Sequence, residues 1–95
     1  MNYTQAKELA ATWVRLNSDD EAELVEKITI KKPYGWVFFY EAKDGALGGN
    51  APIIINRLSL ELRVTGTAYS TETYLKEYES TLPPVWLTMS LPREP

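Results

Sequence analysis

The chain has no cysteine and no histidine, and only two methionines and two phenylalanines in its 95 residues. Without cysteine there is no disulfide, no thiolate metal site and no thiol nucleophile. Without histidine, the side chain that changes charge near neutral pH is missing, and with it the usual hydrolytic triads and proton shuttles. An enzyme built on this chain would have to use carboxylates, lysine or tyrosine. No apolar run reaches bilayer length, and the first residues, MNYTQAKELAATWVRLN, form an amphipathic pattern rather than an apolar stretch after a basic start. A cytoplasmic protein without a membrane partner is therefore expected. No basic run extends beyond Lys31-Lys32, and ten basic residues stand against thirteen acidic ones, so nucleic acid is not an expected partner either.

What is present is a core. A hydrophobic content of 44%, with 12% aromatics, suits one domain over residues 1–95 and is too little chain for two. Ala6, Leu9, Ala10, Trp13 and Leu16 recur at helical spacing, which predicts an N-terminal helix capped by Asn2 or Thr4. The acidic stretch NSDDEAE reads as a solvated connector. LVEKITIKKP alternates as a strand with one buried face, and Pro33-Tyr34-Gly35 turns the chain into WVFFY, apolar without a break. A glycine-rich loop, AKDGALGGN, leads to APIIIN, again apolar on both sides, and LELRVTG alternates once more.

In antiparallel order, this pattern puts the two one-sided strands at the edges of a four-stranded sheet and the two doubly apolar strands in its middle. YSTETYLKEYES predicts a second helix capped by Ser70 or Thr71, with Tyr74, Leu75 and Tyr78 on one face. The expected class is thus α+β, in the order α-β-β-β-β-α, with both helices packed on one face of the sheet. Residues 82–95 form a proline-containing C-terminal arm. Its alternating Val85, Leu87, Met89 and Leu91 suit an added strand or an extended segment.

Two stretches invite a chemical reading and do not sustain it. Asp19, Asp20, Glu21, Glu23 and Glu26 cluster, but they lack the spaced Asp/Asn, glycine and terminal Glu of a calcium loop. GALGGN is followed by a strand with no Lys-Ser or Lys-Thr, so it is not a phosphate loop. No catalytic, metal or cofactor-binding residues are assigned.

The order YGWVFFYEA, GGNAPIIINR and VTGTAYSTETYLKEYE resembles the immunity protein 35 family and its YrhB-like members, over Pro33 to Glu79. Trp36, Gly49, Asn50, Ala51, Pro52, Gly66, Thr67, Tyr74, Leu75 and Tyr78 match its recurring positions. Asn56 stands where an acidic residue is usual, and Leu60 stands where the family's turn carries glycine before its acidic residue. Such proteins are taken to protect bacteria from polymorphic toxins exchanged between competitors, and a YrhB-like branch is described as chaperone-like. The resemblance implies stoichiometric binding of a cognate toxin rather than catalysis.

The middle strands sharpen that expectation. Neighbours in a strand point to opposite faces, so helices on one side leave either Trp36, Phe38 and Tyr40 or Val37 and Phe39 looking outward. An apolar centre ringed by charge is the anatomy of a protein-binding patch. The partner-binding candidates are Trp36, Phe38, Tyr40, Glu41, Asp44, Asn50 and Arg63, with Glu41, Asp44 and the acidic loop steering a basic toxin. Three other uses of the same surface stand beside this one: cover by the arm through Val85, Trp86, Leu87 and Met89, binding of unfolded chains, or pairing into a homodimer.

Overall fold

The computed structural model describes residues 1–44 and 51–93. Helix α1 (Tyr3–Asn17) begins at Asn2, whose side chain accepts from the Gln5 amide (2.8 Å) while the Gln5 side chain accepts from the Asn2 amide (2.9 Å). This reciprocal pair satisfies two amides the helix itself leaves free. The stripe that packs inward is Tyr3, Ala6, Ala10 and Val14, so Leu9 and Leu16 face out. Two alanines in the stripe let the helix backbone lie close to the sheet.

Strands β1 (Ala22–Leu24), β2 (Ile30–Lys32), β3 (Gly35–Phe38), β4 (Tyr40–Ala42), β5 (Ile53–Asn56) and β6 (Leu62–Val64) follow, then α2 (Thr71–Glu79) and a short α3 (Val85–Thr88). The main sheet is antiparallel with order β2-β3-β5-β6, so the doubly apolar strands β3 and β5 do hold its middle. The class α+β and the four-stranded antiparallel sheet are as expected.

The segment read as one strand from Leu24 to Lys31 is two. β1 pairs with β4 and β2 with β3, separated by a 3-10 turn over Glu26–Ile28. That turn absorbs residues that have no partner on the facing strand, as a bulge does. It is held from α1, where the Tyr3 hydroxyl donates to Glu26 (2.9 Å) and the Lys7 ammonium pairs with it (2.8 Å). These contacts, that of Lys7 first, hold the Glu26 carboxyl below its usual range.

The expected placement of both helices on one face is corrected. α1 covers the face carrying Trp36, Phe38, Ile53 and Ile55, and α2 covers the other, where Tyr34, Val37 and Ile54 meet Leu75 and Tyr78. Strands buried on both faces need cover on both, and a single layer of helices cannot supply it. The arm completes the second layer. Leu82 and Trp86 pack against the Val37 side, and the stretch read as an extra strand forms the helical turn α3 instead. Proline at a helix start costs no hydrogen bond, which explains why Pro83-Pro84 opens a turn of helix there.

A polar hub ties α2 to the sheet. Asn56 is fully buried. Its amide donates to the Tyr78 hydroxyl (3.0 Å), and its carbonyl oxygen accepts from the Leu58 and Ser59 amides (2.8 and 2.9 Å). The Tyr78 hydroxyl in turn donates to Glu61 (3.0 Å). Asn56 therefore shapes the β5–β6 turn from inside. That turn also explains Leu60, which sits at φ 64 and is 62% exposed where the related pattern has glycine. A left-handed backbone costs a residue with a Cβ about 1–2 kcal/mol. Leu60→Gly is expected to raise stability by about 1 kcal/mol in urea unfolding, since little burial is lost. A variant no more stable than the parent would show that residue 60 is not left-handed.

At the start of α2, the Ser70 side chain accepts from the Thr73 amide (3.2 Å). The Tyr74 hydroxyl accepts from the Ala68 and Tyr69 amides (3.1 and 3.3 Å), and a Cβ on Gly66 would lie 2.5 Å from that hydroxyl. Gly66 and Tyr74, two of the residues that carry the family resemblance, are thus one structural unit.

Candidate functional site

The structure disperses the residues chosen from the sequence. Trp36 and Phe38 are not on an outer face. They are 1% and 0% exposed beneath α1, and Tyr3 packs on both rings at 6.0 Å. The uncovered sheet face on which they were placed does not exist. Arg63 is exposed on the edge strand β6, bound to Glu61 (2.7 Å) and lying 5.4 Å over the Tyr78 ring. Asn50 lies outside the described residues. Tyr40, Glu41 and Asp44 do come together, on and just after β4.

Those three belong to an acidic ribbon. α1 ends at Ser18, whose hydroxyl donates to the Val14 carbonyl (2.6 Å) and accepts from the Ala22 amide (3.1 Å). Asp19 and Asp20 take left-handed angles, φ 51 and 64, a conformation aspartate tolerates better than most residues. The chain is thereby turned into β1, which pairs Ala22 with Ala42, Glu23 with Glu41 and Leu24 with Tyr40. Ala22, Leu24 and Tyr40 pack toward α1, and the Tyr40 ring meets Trp13 at 6.2 Å. Period-two alternation then leaves Glu23 and Glu41 outward, and both are exposed.

The ladder bonds on either side, from the Val25 amide to Phe39 and from the Lys43 amide to Glu21 (both 2.8 Å), put Glu23 and Glu41 in a hydrogen-bonded pair. Facing Cα atoms in such a pair are about 5.5 Å apart. Two carboxylates opposed at that spacing are unfavourable, by some tenths of a kcal/mol up to about 1. Asp19, Asp20, Glu21 and Asp44 extend the same charge, and Lys43, paired with Asp20 at 3.1 Å, is the one basic residue of the ribbon. The net charge of the whole chain is only −3, so the remainder of the molecule is net basic.

Beside the ribbon runs an open groove of about 490 Å³ between Glu8, Thr12 and Arg15 of α1 and Glu23 and Leu24 of β1. Among the described residues no group of acidic side chains is arranged to hold a metal ion. Among them too, no helix is long and apolar enough to cross a membrane. The ribbon can offer charge to a cationic surface. Glu23, read from the sequence as part of the acidic loop, stands instead on strand β1. The Ala-Glu-Leu alternation marks it as outward, but its partner across the ribbon is fixed by a register seen only in the fold.

Across 70 residues the chain is 39% identical to the uncharacterized protein YrhB of Escherichia coli (strain K12), over 63% of this chain and 74% of that protein. The chain belongs to the YrhB family. It matches no protein-family model, and no solved structure matches it.

Proposed function

We propose that this YrhB-family chain is an immunity-type binding protein, which neutralises a cognate bacterial toxin by stoichiometric association through its acidic ribbon. The observation that carries the reading is the opposition of Glu23 and Glu41. A fold can avoid two facing carboxylates by one substitution, and a cationic partner turns their repulsion into attraction on binding. Tyr40 and Trp13 beneath the ribbon give it a stiff apolar floor, and Asp20 and Asp44 widen the field that draws in a basic partner. The sheet face proper has no part in this contact, since it is the core.

The test is co-expression with a toxin encoded beside the chain, followed by affinity measurements on Glu23→Lys and Glu41→Lys. Each variant is expected to bind at least about tenfold more weakly and to lose its steep salt dependence. Each should also keep or gain up to about 1 kcal/mol of stability as the carboxylate pair is relieved. Unchanged affinity in both variants, or no rescue from any adjacent toxin, would sink the proposal.

A second reading, a chaperone-like protein for unfolded chains, draws on a different observation. The arm exposes Val85 (62%) and Leu91 (54%), with Leu87 and Met89 between them. It predicts suppressed aggregation of unrelated substrates that is indifferent to Glu41→Lys.

A further inference from the structure

The acidic ribbon follows the C-terminal end of β3; near the other end of that strand the charges are reversed and unanswered. A cavity of about 340 Å³ is bounded there by Trp36 and Arg57 on one side and by Ser90, Leu91, Pro92 and Arg93 of the arm on the other. Arg57 is half-buried. Its Nε donates to the Pro33 carbonyl (2.8 Å) and its Nη2 to the Ser90 carbonyl (3.0 Å). A guanidinium has five N–H groups, so three of them remain uncommitted. Among the described residues no carboxylate pairs with Arg57 or Arg93.

The third group is the Trp36 indole N–H. The residue is 1% exposed, and its Nε1 has no acceptor. A buried donor left unpaired costs about 1–3 kcal/mol, so such groups in folded proteins are nearly always satisfied. Arg57 and Arg93 thus bring uncommitted donors to one cavity, and Trp36, which also lines it, carries a buried donor without an acceptor.

We propose that this cavity binds a carboxylate. The two oxygens of a carboxylate match the free fork of Arg57, and that pairing is the strongest hydrogen-bonded arrangement a guanidinium makes. Arg93 supplies a second positive charge, and Trp36, Leu91 and Pro92 supply apolar wall for the carbon skeleton. The volume falls at the small end of ligand sites, which begin near ~300 Å³. The Trp36 side chain lines the cavity, so a carboxylate bound there changes the surroundings of its indole. The carboxylate belongs either to a small acid or to the C-terminus of a partner chain, and both sources present the same group.

The experiment follows the Trp36 indole N–H in proton–nitrogen correlation spectra, with Trp13→Phe and Trp86→Phe variants assigning the three indole signals. The probes are succinate, trialanine and the C-terminal amide of trialanine, each against chloride at equal ionic strength. Succinate or trialanine is expected to move the Trp36 signal saturably, and chloride is not. A response to trialanine that its amide fails to give identifies a chain terminus as the source, and a response to succinate alone identifies a small acid. Arg93→Gln should weaken the response about tenfold, the usual scale for one charge-assisted contact. Arg93 makes no hydrogen bond or ion pair among the described residues, so its replacement leaves the fold intact. Arg57→Lys, which keeps charge and loses the fork, should weaken binding as well. No saturable movement with either carboxylate, or equal affinity in Arg93→Gln, overturns the proposal.

Discussion

Trp36→Ala is expected to lower stability by about 4 kcal/mol, read as a drop in the midpoint of urea unfolding. A domain of this size holds only about 5–14 kcal/mol in all, so the variant would sit near the edge of folding. The magnitude follows from position. Trp36 is among the largest fully buried side chains, lies on the central strand β3, faces Ile55 across the ladder and packs edge-on against Tyr3. Truncation removes the area the indole withdraws from water and leaves a cavity that α1 cannot readily fill, because beyond Tyr3 it brings the short Ala6 and Ala10 to this cluster.

Trp36→Phe should cost far less, under about 1.5 kcal/mol, since a ring remains and the indole N–H without an acceptor is removed. This contrast bears on function. On an exposed docking face, Trp36→Ala would abolish partner binding and leave the unfolding midpoint in place. In the observed fold it shifts the midpoint, and any loss of partner follows from loss of structure. A Trp36→Ala variant within 1 kcal/mol of the parent in stability would return the residue to the surface.

The sequence announced a need for cover without saying what provides it. Two consecutive doubly apolar strands, around Val37 and Ile54, state that both faces of the sheet are dry. They do not say which helix goes where, because α1 and α2 are similarly amphipathic and either could lie on either side. The caps were legible, since Asn2 and Ser70 act through residues three positions away and such contacts are written locally. The break in the first strand was not, because Glu26 is drawn out of line by Tyr3 and Lys7, on a helix that lies far upstream in the chain. The arm misled for a similar reason. Val85, Leu87 and Met89 alternate like a strand, but Trp86 is the residue that finds a place, in the layer formed by Leu75 and Tyr78.

At the candidate site, charge was legible in Glu41 and Asp44 and geometry was not. The sequence places carboxylates in a loop and on a strand far apart in the chain. Only the register of β1 on β4 brings Glu23 opposite Glu41. The unanswered arginines were less visible still, because Arg57 and Arg93 lie far apart in the chain and meet only when the arm returns across the sheet end.

Gly35→Ala is expected to be as damaging as the loss of the tryptophan, and it removes no contact at all. Gly35 opens β3 at φ 152, an angle that residues with a Cβ rarely adopt. A Cβ built there collides with the backbone carbonyl oxygen of Ile55 and lies 3.1 Å from the Arg57 amide. Both obstacles are main chain. Neither can rotate aside as the end of a side chain can, and both belong to the ladder where Gly35 pairs with Asn56. Backbone strain of about 1–3 kcal/mol adds to an overpacking cost of similar size, for a total of about 4 kcal/mol in urea unfolding. Gly66→Ala supplies the contrast, because its Cβ meets only the outer end of the Tyr74 side chain, which is half-buried and can retreat. That variant should lose about 1 kcal/mol. Equal losses at the two glycines would mean that the approach of β3 to β5 is looser than the register shows. The expected inequality would instead place the constraint in the bond from the Arg57 amide to the Tyr34 carbonyl (2.8 Å), which Gly35 leaves room for and which sets Arg57 at the mouth of the cationic cavity.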